Sequence, residues 1–553
     1  MLPRLRHFAV PLCCLTLLGS APLAGCAGEG DDSSPGIASD DVVVLPGKED
    51  NFIALSAREY LLQGTSFVTL EESYRGKSDE EKLARVKELI PLKNIQIGWF
   101  LNVYLSEKKA GDPNAGYGGF HALVREGSYE NSAIVADEQD ELVYHFQVAF
   151  EIGGETSLLE HMPLTHVAGD VYSFTLAMAK VSNSALARLD INSEWYRSYG
   201  SWSPEGKAAS ELENIELTIQ PEDLSQDAYF DTNRLFADGK VTIAVHFGWD
   251  YHSEYHLKHS ESLYDWLLDR GYESPVASYD LYTRTSGPLT RTILAGGQEV
   301  VVEISLFWGK AGTDTDPDTD AGGIVLENDM RESLATREII AYSGHSGPFY
   351  GFALANWKKT EEGDLDDAEI AGLDLPADVY QVVLAEGCDT YGIGEAFWHN
   401  PAKADRHDLD VITTTAPSNA TTPSAVQDFL SALVGTDEDG NHLVTRVGDL
   451  LEDLDDNSYW FNTMYGLHGV DDNPHAHPYA QAAQLCEAGC TDAEDCGGAG
   501  NRCVTLTAGR AKVCTFECTA DDGCPDGYGC TRIATGGYQQ DTFVCTPASG
   551  RCE

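Results

Sequence analysis

Two side chains carry the chemistry that this chain's residue order most clearly allows, the thiol of Cys388 and the imidazole of His345. The apolar run 338–342 (Glu338-Ile339-Ile340-Ala341-Tyr342) leads into Ser343-Gly344-His345-Ser346-Gly347, and the run 379–385 leads into Glu386-Gly387-Cys388-Asp389. Short apolar runs bounded by Gly and polar residues read as buried parallel strands. The stretch 364–373 between them is polar with spaced apolar residues, which predicts a crossover helix. In an open α/β sheet the loops at the carboxyl ends of the strands share one crevice. A His and a Cys 43 positions apart in sequence can therefore meet as general base and thiol nucleophile.

The order and surroundings of these motifs resemble the clan CD cysteine peptidases, the group of caspases, gingipains, clostripain and separase. Gly344-His345-Ser346-Gly347 and Glu386-Gly387-Cys388 stand where that family has a His-Gly motif after one strand and an Ala-Cys or Gly-Cys motif after the next. The likeness covers residues 236–482, and its specific motifs are confined to these two stretches. It implies a caspase-like α/β sandwich, a catalytic His345 and Cys388, and an oxyanion site built from the backbone N–H groups of Ser346, Gly347 and Cys388. It implies a peptide or protein substrate and no required cofactor. One departure is visible: the family has Gly directly after the His, and here Ser346 intervenes before Gly347.

The expected chemistry is acyl transfer, in which Cys388 attacks a scissile carbonyl and His345 delivers a proton to the leaving amine. Cysteine usage points to the same thiol. Of 14 Cys, Cys13 and Cys14 lie in an export signal, Cys26 is a lipidation site, and ten crowd into residues 486–553. Cys388 is the one left over.

Residues 1–26 have the form of a lipoprotein signal peptide. Arg4 and Arg6 give a positive start, 8–18 is apolar apart from Thr16, and Leu23-Ala24-Gly25-Cys26 matches a bacterial lipobox. Elsewhere no run of 18 apolar residues occurs, so membrane attachment is expected through the lipid anchor only. The expected place is the outer membrane of a bacterial envelope, facing outward. The formal charge of the chain is -53, and the signal carries two Arg and no acid, so the remainder stands at -55. Such an acidic protein repels nucleic acid and anionic lipid and favours cationic partners.

The composition divides the rest. An acidic linker spans 27–50, a β-rich domain 51–235, the α/β domain 236–482, and a Cys-rich module 486–553. Strands are expected in the first domain at 97–105, 142–152, 171–181 and 215–219. In the second, 240–248 reads as a strand and Leu263, Trp266 and Leu267 as one helix face ending at Arg270-Gly271. A hairpin is expected over 288–307, a strand over 409–415 and a helix carrying Val426, Phe429, Leu430 and Leu433. In the module the spacing Cys486-Cys490-Cys496 recurs 28 residues later at Cys514-Cys518-Cys524. A duplicated small domain in an exported protein implies a framework of five disulfides, of unspecified connectivity.

Three further groups compete. His252, His256 and His259 fall at i, i+4 and i+7 and would share a helix face suited to zinc, the basis of a metal-dependent hydrolase reading. Counting Asp316 as the first position of a calcium loop puts Asp318, Asp320 and Glu327 at positions 3, 5 and 12, although Ala321 stands where Gly belongs. Calcium binding by gingipains and clostripain supports an ion there by resemblance. His475 and His477 read as part of a polar interdomain loop. Asp250 or Asp389 would pair with an Arg or Lys guest, as resemblance to basic-specific peptidases implies. The competing non-catalytic reading is a surface adhesion or binding lipoprotein that keeps the caspase-like fold.

Overall fold

The computed structural model describes residues 52–109, 134–189, 198–199, 202–250, 253–347, 351–398, 400–403, 408–418, 424–456, 463–481, 484–506, 511–533 and 542–552. The signal peptide, its Cys26 and the linker lie outside these residues.

The N-terminal strands are β1 (Phe52–Ala54), β2 (Ala57–Thr69), β3 (Val135–Ala136), β4 (Val143–Glu155), β5 (Thr165–Ala168), β6 (Val171–Ala179) and β7 (Leu212–Pro221). All but β1 form an antiparallel sheet in the order β3-β4-β2-β7-β6-β5. Its β2 alternates buried and less buried residues and pairs with β4 over its full length, from Ala57↔Glu155 to Thr69↔Val143. The charged Arg58 and Glu59 and the interior Gly64 hid this strand from the sequence reading. The strand expected at 97–105 is instead part of the helix Asp79–Lys109. Its β-branched and aromatic content mimics a strand, but buried Ile97, Phe100, Leu101 and Leu105 keep helical spacing and pack against the sheet. A short apolar window cannot separate the two periods.

The second sheet uses β8 (Lys240–Phe247), β9 (Leu289–Ala295), β10 (Gln298–Trp308), β11 (Ile339–Ser343), then, after the small strands β12 (Ser346–Gly347), β13 (Gly351–Ala353) and β14 (Asp364–Leu365), the strands β15 (Gln381–Glu386), β16 (Leu409–Thr414) and β17 (Tyr465–His468). Its order is β1-β17-β16-β15-β11-β8-β10-β9. The pairs β10·β8, β8·β11, β11·β15 and β15·β16 are parallel, and antiparallel strands close both sides. Helices cover both faces, which is why the central strands read as unbroken apolar runs. Val245, Ala341 and Leu384 face a core shared with Leu263, Phe429 and Leu451, while Ile340 and Val383 face Met330 and Phe397. Full burial of each such aliphatic side chain contributes about 1.5–3 kcal/mol. The expected helix at 364–373 is reduced to Asp367–Ala371, preceded by β14. In the small sheet β12-β13-β14, Gly351 adopts φ +57°, and a Cβ there would lie 1.9 Å from the carbonyl oxygen of Leu365.

Two sequence boundaries shift. Strand β1 lies within the expected 51–235 region yet pairs with β17 as an edge of the second sheet. Ala228, Phe230 and Leu235 likewise belong to that sheet's core.

In the C-terminal segment all ten Cys are bridged, as Cys486–Cys552, Cys490–Cys503, Cys496–Cys514, Cys518–Cys530 and Cys524–Cys545. The connectivity repeats with a 28-residue offset at its first two positions: Cys490 and Cys496 correspond to Cys518 and Cys524. Each half carries a hairpin, β18 (Asn501–Val504) with β19 (Val513–Phe516) and β20 (Tyr528–Ile533) with β21 (Thr542–Pro547). In each hairpin the facing cysteines, Cys503↔Cys514 and Cys530↔Cys545, bond outward to preceding loop cysteines rather than to each other. Cys486–Cys552 closes the pair.

Candidate active site

Register brings three loops to one end of the second sheet. Phe247, Ser343 and Glu386, the last residues of β8, β11 and β15, lie side by side. Backbone bonds carry the ladder one residue further, from Gly248 N–H to Ser343 O (2.9 Å) and from Gly344 N–H to Glu386 O (3.2 Å). Asp250, His345 and Cys388 follow two or three residues beyond, at neighbouring carboxyl ends of parallel strands, where such sheets form their crevice.

His345 is oriented by Asp250. Its Nε2 lies 3.1 Å from Asp250 Oδ1, with the imidazole 14% and the carboxylate 5% exposed. The other carboxylate oxygen accepts the backbone N–H groups of Ser253 (2.9 Å) and Tyr255 (3.2 Å). An ionised carboxylate only accepts, so in the neutral ring Nε2 carries the hydrogen and Nδ1 the lone pair. Behind Asp250, its own N–H donates to His256 Nδ1 at 3.2 Å, and burial pushes His256 down to about 4, keeping that ring neutral at pH 7. Asp250, one of the acids expected to pair with a cationic guest, has both of its oxygens engaged inside the protein.

Cys388 is half-buried and is the one Cys outside the disulfides among the described residues. Its Sγ is 4.0 Å from the carbonyl oxygen of Ser418, and its own carbonyl accepts the Ser346 hydroxyl at 2.9 Å. That second bond joins the loop of His345 to the loop of Cys388. It needs Gly387, because a Cβ there would lie 1.9 Å from Ser346 Oγ. Ser346, between His345 and Gly347, is thus a tie between the two loops. Ser346 and Gly347 form β12, opposite Phe352 and Gly351.

The turn after Cys388 is held on several sides. Asp389 adopts φ +57° and gives its N–H to Ala416 O at 3.3 Å. The Thr390 hydroxyl donates to Ala385 O (2.7 Å), and the Thr414 hydroxyl donates to Gly387 O (2.8 Å). The helix Tyr391–Trp398 then begins. Two residues before the thiol, Glu386 is 5% exposed, and burial pushes its carboxyl up to about 7 despite hydrogen bonds from Ser343 and Ser418. An acid ending an apolar run was the available signal for this group, and the sequence reading passed over it.

The calcium set does not converge. Asp316 bonds the N–H groups of Gly312 and Asp318, Asp318 is held by Asn356 and Lys359, and Asp320 accepts the N–H of Glu361. Glu327 sits two turns into the helix Asp320–Thr336 and pairs with Arg331 at 2.8 Å. Of the zinc set, His252 lies outside the described residues, and His256 and His259 are buried. Among the described residues the His, Cys, Asp and Glu groups close enough to share an ion are cysteines already joined in disulfides. His475 and His477 lie where the Cys-rich segment meets the second sheet: His477 packs edge-on against Tyr229 at 5.4 Å and its N–H donates to Glu517 O at 3.1 Å.

None of the described helices is long and apolar enough to cross a membrane. No family model, no curated protein and no solved structure matches the chain.

Proposed function

We propose that this chain is a cell-surface cysteine endopeptidase with a caspase-like α/β core, anchored to the outer membrane through Cys26. The observation that carries the reading is the placement of Asp250, His345 and Cys388 at the carboxyl ends of three adjacent parallel strands, with the imidazole hydrogen-bonded to the carboxylate. Asp250 is a positioning residue, and His345 and Cys388 are the catalytic pair.

In the proposed cycle His345 takes the thiol proton and the Cys388 sulfur attacks the scissile carbonyl carbon. Backbone N–H groups of Ser346, Gly347 and Cys388 stabilise the oxyanion. The C–N bond breaks as His345 protonates the leaving amine, and water then hydrolyses the thioester to a carboxylate and the restored thiol. No metal enters any step. An acidic protein raises the local concentration of cationic peptides, and Asp389 directly follows the nucleophile in sequence. The preferred residue before the cut bond is therefore Arg or Lys.

Digestion of a peptide library by the purified protein tests the reading. Cleavage that is lost in Cys388→Ala and after iodoacetamide, and kept in EDTA, is expected. Cleavage lost to EDTA but insensitive to alkylation would contradict it. The anchor is tested separately, because Cys26→Ala removes fatty-acid labelling and partition into detergent if Cys26 is lipidated.

A further inference from the structure

The N-terminal sheet touches the second sheet at the elements that hold the Cys388 turn. Tyr391, the first residue of the helix that follows this turn, is fully buried and its hydroxyl donates to Glu59 Oε1 on β2. Glu59 is 4% exposed, and its Oε1 lies 3.9 Å from Nδ1 of His468. The Tyr391 ring packs edge-on against Phe52 of β1 (5.8 Å) and lies tilted against His468 (5.1 Å). Phe52, Ala54, Ala57, Tyr391, Ala416 and Met464 form one buried cluster. The carbonyl of Ala416 is the acceptor for Asp389 N–H. Gly153 of β4 completes the contact: a Cβ there would lie 2.7 Å from the Tyr391 ring and 2.5 Å from the Thr415 methyl.

Asp389 supplies an independent reason for such support. A non-glycine residue with φ +57° is strained and persists only where its surroundings over-determine it. Both flanks of Asp389 lead to this interface: Ala416 receives its N–H, and Tyr391, two residues on, is fixed by Glu59. A buried carboxylate is costly unless hydrogen-bonded, so the Tyr391–Glu59 bond holds the helix start to one place. The N-terminal sheet cannot drift from it, because only two residues separate β2 from β1, itself an edge strand of the second sheet.

We infer that Glu59 is a positioning residue for the Cys388 turn, acting through Tyr391, so that the N-terminal sheet is a working part of the site rather than a spacer or a removable segment. The kinetic half of the test rests on the peptidase reading, whereas the thiol half does not. Glu59→Ala, Glu59→Gln and Tyr391→Phe are compared at a temperature well below each variant's melting point. Glutamine keeps an oxygen that accepts the Tyr391 hydroxyl. Misplacement of reacting groups by about 1 Å can cost roughly a hundredfold. On that scale Glu59→Ala and Tyr391→Phe are expected to lower kcat about tenfold with KM within about twofold, and to slow iodoacetamide alkylation of Cys388 to a similar degree. Glu59→Gln should stay within about threefold of the parent in both readings. Folded Glu59→Ala or Tyr391→Phe that alkylates at the parent rate overturns the inference, as does Glu59→Gln as impaired as Glu59→Ala. If the parent cleaves no peptide, the peptidase reading falls and the alkylation rates alone decide this inference.

Discussion

Asp250 Oδ1 stands 3.1 Å from His345 Nε2, across the gap between the ends of two adjacent parallel strands. The carboxylate is itself fixed by the N–H groups of Ser253 and Tyr255. The imidazole therefore has one tautomer and one orientation before any substrate arrives.

Asp250→Asn reverses that arrangement, since an amide can donate where the carboxylate only accepts. General acid–base steps contribute roughly a hundredfold to ten-thousandfold. The variant should lose about a hundredfold in kcat with little change in KM, measured on a cleaved peptide. An unchanged kcat would remove Asp250 from the mechanism.

Glu386 makes stability depend on pH in a predictable direction. Burial raises its carboxyl from 4.5 to about 7, so the folded protein holds this proton more tightly than the unfolded chain. Its contribution is present below the unfolded value and lost as pH rises through the folded one, by about 3 kcal/mol at roughly 1.4 kcal/mol per unit. Glu386→Gln cannot ionise. Urea midpoints at pH 5 and pH 8 should show the variant gaining on the parent at the higher pH. A pH-independent difference would contradict the burial argument.

The disulfide connectivity predicts thiol counts. Unfolded without reductant, residues 27–553 should react with one equivalent of a thiol reagent, at Cys388. Replacing Cys486 and Cys552 together opens a bridge of sequence separation 66 and should cost the module about 4 kcal/mol by loop entropy. The bridges within each half should survive, as peptide mapping would reveal. Scrambled pairs would show that the outer bridge also guides folding.

The aspartates at 316–320 are engaged by protein donors, and Glu327 by Arg331. Excess EDTA should leave the melting temperature and peptide cleavage unchanged. A fall in either, restored by calcium, would return this loop to the list of ion sites.

How much of this was legible in the sequence follows from the range of each interaction. The strands ending at Ser343 and Glu386 announced themselves because both faces are buried, which leaves an unbroken apolar run. The hairpin around Ala295-Gly296-Gly297 and the helix end at Arg270-Gly271 were legible because glycine punctuation is local. Residues 97–105 were misread because their composition suits a strand, and only the longer helix restores the period. Strand β2 was missed because Glu59, buried at an interface 332 positions from Tyr391, looks like a surface charge. The same distance problem hid the role of Asp250: nothing local distinguishes an acid that orients a histidine 95 residues away from one that awaits a ligand.

The central claim is that the His345 imidazole and the Cys388 thiol work as a pair, and one rate measures it: alkylation of Cys388 by iodoacetamide at pH 7 in the parent and in His345→Ala, followed by intact mass. The thiolate is the reacting form, and a neighbouring base raises its share. The parent should react roughly a hundredfold faster than His345→Ala, in keeping with the scale of general-base assistance. Equal rates in two folded proteins would mean that the two residues share an end of the sheet but no chemistry.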